Sequence, residues 1–269
     1  MMANSPDKEK YYRQLARNII GVIVAVSLTP LALISVISYS HFDTAYKYKV
    51  TQQLGELVNK HSQTIDRFLF DRLADLRVLA RNSSLSQLQD PNYLADRLRV
   101  LREEYGLVFV DLGLVRADGL QVSYAGPLNL TNANYAGAEW FKRTLTSEDF
   151  ISDVFEGLRA APHFIVAVKK QVDGREWILR STIDFKAFNQ LVDGIRIGQT
   201  GFAFVLNRRG EFQTNAKPKV FLDRGPDLDF LKARMDARQV SVTERPDEKG
   251  GRWIVALAPM KSGQWVLGW

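Results

Sequence analysis

The side chains with the clearest chemical promise gather between residues 140 and 184. Trp140, Arg143 and Thr144 follow one another at helical three- and four-residue steps and share one face, while Phe141 and Leu145 share another. An indole beside a guanidinium suits a small organic anion: the ring supplies an apolar wall, and the planar fork takes a carboxylate through two parallel hydrogen bonds. Trp140 and Phe141 would serve equally as core. Asp153 and Phe155 stand two apart in an extended run and point to one side. His163 and Lys169, six apart in another run, also share a side. Asp184, at a strand's end, either caps the next helix or meets an ammonium group.

Nothing in the chain assembles a catalytic centre. The three histidines, His41, His61 and His163, are followed by Phe, Ser and Phe, whereas a kinase phosphoacceptor typically precedes an acidic residue. There is no Walker A loop, no Gly-x-Ser-x-Gly elbow and no Gly-rich nucleotide lid, and the glycines from Gly194 to Gly201 have the wrong spacing for a phosphate loop. The histidines lack metal-ligand spacing, and the absence of cysteine removes disulfides, thiolate ligands and thiol nucleophiles. Carboxylate pairs such as Glu103–Glu104 and Asp227/Asp229 read as solvated surface. No catalytic residue, metal or cofactor is therefore expected. The net charge of +6 is spread along the chain, with no basic block alternating with aromatics, so there is no nucleic-acid footprint.

The elements that must position these residues begin with a membrane span. Ile19 to Ser40 contains no Asp, Glu, Lys or Arg, and as a helix it would cross the roughly 30 Å hydrocarbon layer. Pro30 lies mid-span, which membrane helices tolerate. A cleaved signal peptide has a shorter apolar core and a small-residue exit, which Ser38-Tyr39-Ser40 matches poorly. Lys8, Lys10, Arg13 and Arg17 precede the span and Lys47, Lys49 and Lys60 follow it, so charge bias is mild. The shortness of the preceding tail makes residues 1–18 a cytoplasmic stub. The remainder becomes a periplasmic or extracellular domain on a bacterial inner (cell) membrane.

Residues 43–80 predict one long stalk helix. Val50, Leu54, Leu57, Val58, Ile65, Phe68, Leu69, Leu73, Leu76 and Leu79 recur at three- and four-residue steps as a single apolar stripe. A helix of that length serves as a flank of the domain and as a homodimer contact. Asp90-Pro91 opens a further helix over Tyr93–Glu104. Hairpins follow: Val108–Val115 with Leu120–Ala125 across Asp118-Gly119, and His163–Val172 with Glu176–Ile183 across Asp173-Gly174. Between them lie a helix around Ala136–Leu145 and a strand Phe150–Phe155; a helix opens after Asp184. A second, smaller set of strands covers Phe202–Asn207, Glu211–Thr214, Gln239–Glu244, Arg252–Pro259 and Gln264–Trp269, with a helix over Pro226–Ala237. The fold class is α+β: two tandem PAS-like antiparallel-sheet modules, a weak internal repeat, after a transmembrane helix and a stalk.

This order resembles the double Cache family of bacterial extracytoplasmic sensors. The stretches that carry the resemblance are Asp111–Tyr124, Tyr135-Ala-Gly-Ala-Glu-Trp140-Phe141, Ile151–Phe155, Pro162–Val168, Ile183-Asp184 and Gly201–Asn207. The resemblance implies a membrane-distal module, residues 81–196, that binds a small molecule, and a proximal module, residues 197–269, that relays the change. It implies a distal pocket lined by Tyr124, Tyr135, Trp140, Phe141, Arg143, Asp153, Phe155, His163, Lys169 and Asp184. Family members that recognise amino acids carry an Arg two residues before the Trp of the distal helix; here that position is Ala138. Asp184 matches the family's amine-binding acid, but its carboxylate-gripping partner is missing. A carboxylate held through Arg143, His163 or Lys169 is the reading that remains. Such domains face outward from histidine kinases, chemoreceptors and cyclic-dinucleotide enzymes. No second span follows before Trp269, so the chain is expected to be the input part of a longer receptor, foremost a sensor histidine kinase; a chemoreceptor, a diguanylate cyclase or a tethered protein-interaction module are the alternatives.

Overall fold

The computed structural model describes residues 6–159, 161–195, 201–215, 239–246, 252–261 and 265–268. The helix expected over Pro226–Ala237 and the turns around Gly250 and Gly263 lie outside the described residues. The chain divides into two compact units, Met1–Gln53 and Leu54–Trp269.

The first unit is helical. Helix α1, Pro6–Asn82, begins there and includes Pro30 in its interior. The side chains of its apolar stretch are exposed, Ile20, Val26, Leu31 and Val36 among them. By length and composition this is the one helix among the described residues able to cross a membrane. Its few polar groups satisfy themselves: the Thr29 hydroxyl donates to the Ala25 carbonyl at 2.6 Å, and that of Ser35 to Leu31 at 2.8 Å.

In the second unit the remainder of α1 buries its stripe. Val58, Ile65, Leu69, Leu73, Leu76 and Ala80 are all nearly inaccessible and join one large core. Ser84 opens α2, Leu85–Gln89, with a reciprocal capping box to Gln87, and Asp90 caps α3, Pro91–Tyr105, whose first residue is proline.

Five antiparallel strands follow, β1 Phe109–Arg116, β2 Gln121–Ala125, β3 Asp149–Ile151, β4 His163–Val172 and β5 Arg175–Asp184, in the order β2-β1-β5-β4-β3. Both expected hairpins are present: β1 pairs with β2, and β4 with β5 through Val172↔Arg175. At the second turn Asp173 and Gly174 both have positive φ, 50° and 75°, as a two-residue turn matching strand twist requires. Helix α4, Glu139–Thr146, covers one face of this sheet; α5, Phe185–Asp193, is capped by Asp184.

Four more strands, β6 Phe204–Asn207, β7 Ser241–Pro246, β8 Arg252–Pro259 and β9 Trp265–Gly268, form a second antiparallel sheet in the order β6-β9-β8-β7. Side chains from both sheets enter the same core: the rings of Phe164 and Phe188 lie 5.8 and 5.4 Å from that of Trp265.

Three local expectations change. Helix α4 starts at Glu139 rather than near Ala136, because the preceding loop is held by Tyr135 N donating to Gly119 O at 2.8 Å and Ala138 N to Tyr135 O at 2.8 Å. The strand expected over Phe150–Phe155 stops at Ile151 and returns only as a bridge between Phe155 and His163. The interruption occurs because Asp153 and Val154 turn away from β4: Val154 N donates to Gln213 Oε1 in the segment after β6 at 2.7 Å, and Asp153 Oδ1 accepts from Trp265 Nε1 of β9 at 2.8 Å. Of the strand expected over Glu211–Thr214, a single bridge, Leu206↔Phe212, is present.

Candidate functional site

The strand β5 supplies the centre of the site. Arg180 and Thr182 alternate onto the face of the first sheet that α4 covers, and the β1–β5 register sets Gly113 beside Arg180 and Asp111 beside Thr182. A Cβ at Gly113 would stand 2.3 Å from Gln121 Oε1 and 2.9 Å from Arg180 Nε, so glycine is what admits the guanidinium here. A bulge between Leu114 and Val115 brings Gln121 and Tyr124 to the same face although they stand three apart.

Arg180 and Asp111 are both buried, 1% and 0% exposed. Arg180 Nη1 donates to Asp111 Oδ1 at 2.7 Å and to Thr182 Oγ1 at 3.2 Å. Its Nε and Nη2 donate to Gln121 Oε1 at 3.1 and 2.6 Å, and Nη2 also to the Tyr135 hydroxyl at 3.2 Å. These bonds occupy every N–H of the guanidinium. The rings of Tyr124 and Tyr135 lie 5.5 and 5.4 Å from its Cζ. Burial opposes the charge, but Asp111, Tyr135 and Tyr124 outweigh it and hold the arginine pKa above its usual value.

Over this network lies a cavity of about 320 Å³, walled by Tyr135, Trp140, Phe155, His163, Arg180 and Thr182. Its aromatic groups brace one another, with Tyr135 and Trp140 rings 5.1 Å apart and Phe155 and His163 rings 4.6 Å apart. His163 Nδ1 lies 2.8 Å from the Ala161 carbonyl, which can only accept, so the ring is oriented with its proton on that nitrogen. The cavity is largely apolar with one strongly polar end, the usual character of a small-molecule site.

A second cavity of about 430 Å³ adjoins it, between α4, the segment after β3 and the turn after β6. Trp140, Arg143, Phe150, Asp153, Phe155 and Arg209 line it. Ala138, Trp140 and Phe155 border both cavities and form the partition between them.

The residues singled out by sequence thus separate. Tyr135, Trp140, Phe155 and His163 meet at the first cavity, and Trp140, Arg143, Asp153 and Phe155 at the second. Phe141 is buried in the core beneath α4. Tyr124 packs against Arg180 and borders neither cavity. Asp184 accepts from Ala187 N at 3.0 Å as the cap of α5 and borders neither. Lys169 shares a strand face with His163 but stands about 20 Å away along β4. There it donates to Leu145 O at 3.3 Å and faces Glu148 and Glu176. Asp153 is engaged too: Oδ1 accepts from Trp265 Nε1 at 2.8 Å and Oδ2 from Asn207 Nδ2 at 2.9 Å and Arg209 Nη2 at 3.3 Å.

Arg180, Asp111, Gln121 and Thr182 escaped the sequence reading. The available signal was a charged residue inside each of two apolar strands, Asp111 in Phe109–Val115 and Arg180 in Trp177–Ile183, since isolated buried charges require partners. Among the described residues no group of His, Cys, Asp and Glu could hold a metal ion.

A family model described as a Cache domain, of the double-Cache type, matches residues 42–269. No curated protein sequence matches the chain. Among solved structures, the sensory domain of the Campylobacter jejuni chemoreceptor Tlp3 (CcmL) is similar at 12% identity and a TM-score of 0.64, over 85% of this chain and 96% of that one. The ligand-binding domain of the Pseudomonas aeruginosa PAO1 amino acid chemoreceptor PctB, in complex with L-Gln, is similar at 15% identity and a TM-score of 0.59, over 80% and 88%. The extracellular domain of the putative histidine kinase mmHK1S-Z3 is similar at 15% identity and a TM-score of 0.58, over 81% and 93%.

Proposed function

Because the chain belongs to the Cache domain family, whose members are extracellular ligand-binding sensors, we propose that it senses a small organic molecule in the cavity above Arg180 and passes the change toward a membrane. The observation that carries this reading is the cavity itself: about 320 Å³, aromatic on its flanks, with buried Arg180, itself paired with Asp111, in its wall. That pair is neutral overall but strongly polar, which suits a zwitterionic or otherwise polar head, with the rest of the ligand against Trp140 and Phe155. In this reading residues 81–196 are the sensing module, 197–269 the relay, and 19–40 the anchor; two copies pair along α1. Phe70 and Val78, 38% and 57% exposed on that helix, support the pairing. A ligand biases such a switch only by its difference in affinity between the two states.

The test is calorimetric titration of the full chain in nanodiscs with a panel of amino acids, amines and small acids. Gly137 borders this cavity, and a Cβ there meets nothing within 4 Å. Gly137→Leu, at the exposed rim, should narrow the cavity and weaken binding, and Trp140→Ala should weaken it by removing an aromatic wall, with circular dichroism checking that the buried Trp140 variant folds. Unchanged affinity in both variants refutes the assignment.

The output we favour is a histidine kinase, supported by the similarity to mmHK1S-Z3. The similarity to PctB and Tlp3 supports a chemoreceptor as the second reading. Coding sequence following codon 269 discriminates them: a phosphoacceptor histidine and nucleotide lid support the first, and a methyl-accepting coiled coil overturns it.

A further inference from the structure

The second cavity has a chemistry of its own. Three rings, Trp140, Phe150 and Phe155, form apolar walls, and three arginines, Arg143, Arg208 and Arg209, face two carboxylates, Glu139 and Asp153. The balance is one positive charge in a volume of about 430 Å³, within the range of small-molecule pockets. Its arginines are not equivalent. Arg209 donates to Glu211 Oε2 at 2.9 Å and lies 3.3 Å from Asp153. Arg143 has no hydrogen-bonded or ionic partner for its guanidinium among the described residues; its Cζ lies 5.7 Å from the centre of the Phe150 ring. The contrast with the first cavity is informative, because every N–H of Arg180 is already bound there. An anion entering the first cavity must displace protein hydrogen bonds already made to Arg180, whereas at the exposed Arg143 it displaces only water.

We propose that the cavity between α4 and the turn after β6 is a second binding site, for a small aromatic carboxylate. The ring would lie among Trp140, Phe150 and Phe155, and the carboxylate would be gripped by Arg143. The site spans both sheets, since Asp153 on its floor is hydrogen-bonded to Trp265 and Asn207. It also shares Trp140 and Phe155 with the first cavity.

The experiment uses the full chain in nanodiscs, with benzoate and indole-3-acetate as probes in calorimetric titrations. At least one probe should bind, and Arg143→Gln, an exposed substitution, should weaken it about tenfold or more. Gly137→Leu, at a residue that borders only the first cavity, should leave that affinity within about twofold. Absence of binding by both probes overturns the proposal, as does equal affinity in Arg143→Gln. Loss of binding in Gly137→Leu with retention in Arg143→Gln places the acid in the first cavity and also overturns it. The two assignments stand or fall separately: the amino acid and amine panel reports on the Arg180 cavity through Gly137→Leu, and the aromatic acids on this one through Arg143→Gln.

Discussion

Arg180 shows how a charge is kept inside an apolar sheet. Its guanidinium fits because Gly113 has no side chain, and its charge persists because Asp111, Gln121, Thr182 and Tyr135 meet every donor. Removing one member of a buried ion pair strands the other, at a typical cost of about 3–5 kcal/mol, while replacing both with apolar groups costs far less. Asp111→Leu and Arg180→Met should each lower stability in urea by roughly that amount, and the double variant by less than their sum; strict additivity would show that the pair is not coupled. Glu211 offers a pH readout. The hydrogen bond from Asn207 is the main cause that holds its carboxyl below the usual value of 4.5, with Arg209 adding to it and burial opposing. Because the folded pKa is depressed, this contribution to stability is present above pH 4.5 and is lost as pH falls through the lower folded value. Glu211→Gln should flatten that part of the acid-unfolding curve; an unchanged curve would remove the residue from the account.

Hairpins and caps obey local rules closely. The β4–β5 turn places Asp173 and Gly174 at positive φ, a region that costs L-residues with a Cβ about 1–2 kcal/mol. Gly174→Val should therefore lower the midpoint of thermal unfolding, with Gly174→Asn milder because Asn tolerates that region. Equal destabilisation by Val and Asn would point to lost packing instead of backbone strain. The stripe on α1 is buried as its periodicity predicts, since a helix with one apolar face must cover it. The interrupted strand after Ile151 departs from local propensity: four of the six residues from Phe150 to Phe155 are aromatic or β-branched, but Trp265 and Gln213 draw Asp153 and Val154 out of the strand.

That departure links the two sheets of the Leu54–Trp269 unit. Asp153 receives the indole N–H of Trp265 and the amide of Asn207, while Lys261 N donates to Asp66 Oδ2 on α1 at 2.7 Å. Trp265 is itself buried against Phe164 and Phe188. Asp153→Ala leaves that indole donor without its acceptor and should cost about 1–3 kcal/mol. Hydrogen exchange should accelerate in β9 and the segment after β3 well before β1 and β5. Uniform acceleration across both sheets would mean that Asp153 serves global stability and not this junction.

How much of this was legible depended on distance along the chain. The apolar run at Ile19–Ser40, the stripe of α1, the Asp-Gly turns, the helix start at Asp90-Pro91, the cap at Asp184 and the α+β class all follow from neighbours a few residues apart, where backbone sterics and periodicity act alone. Trp140, Phe155 and His163 could be nominated for the same reason, since their types and spacing were visible, whereas Tyr135 came from the resemblance to the double Cache family. The site's centre could not, because Asp111 and Arg180 lie in separate strands and become partners only through a β1–β5 register that includes a bulge. Nor could spacing reveal that the nominated residues line two cavities. His163 and Lys169 share a strand face yet stand far apart, whereas Trp140 and Phe155, remote in sequence, form one wall. Local order is written in adjacent residues; charge pairing, cavity shape and the partition between two ligands arise from contacts that exist only once the strands have paired and the sheets have packed.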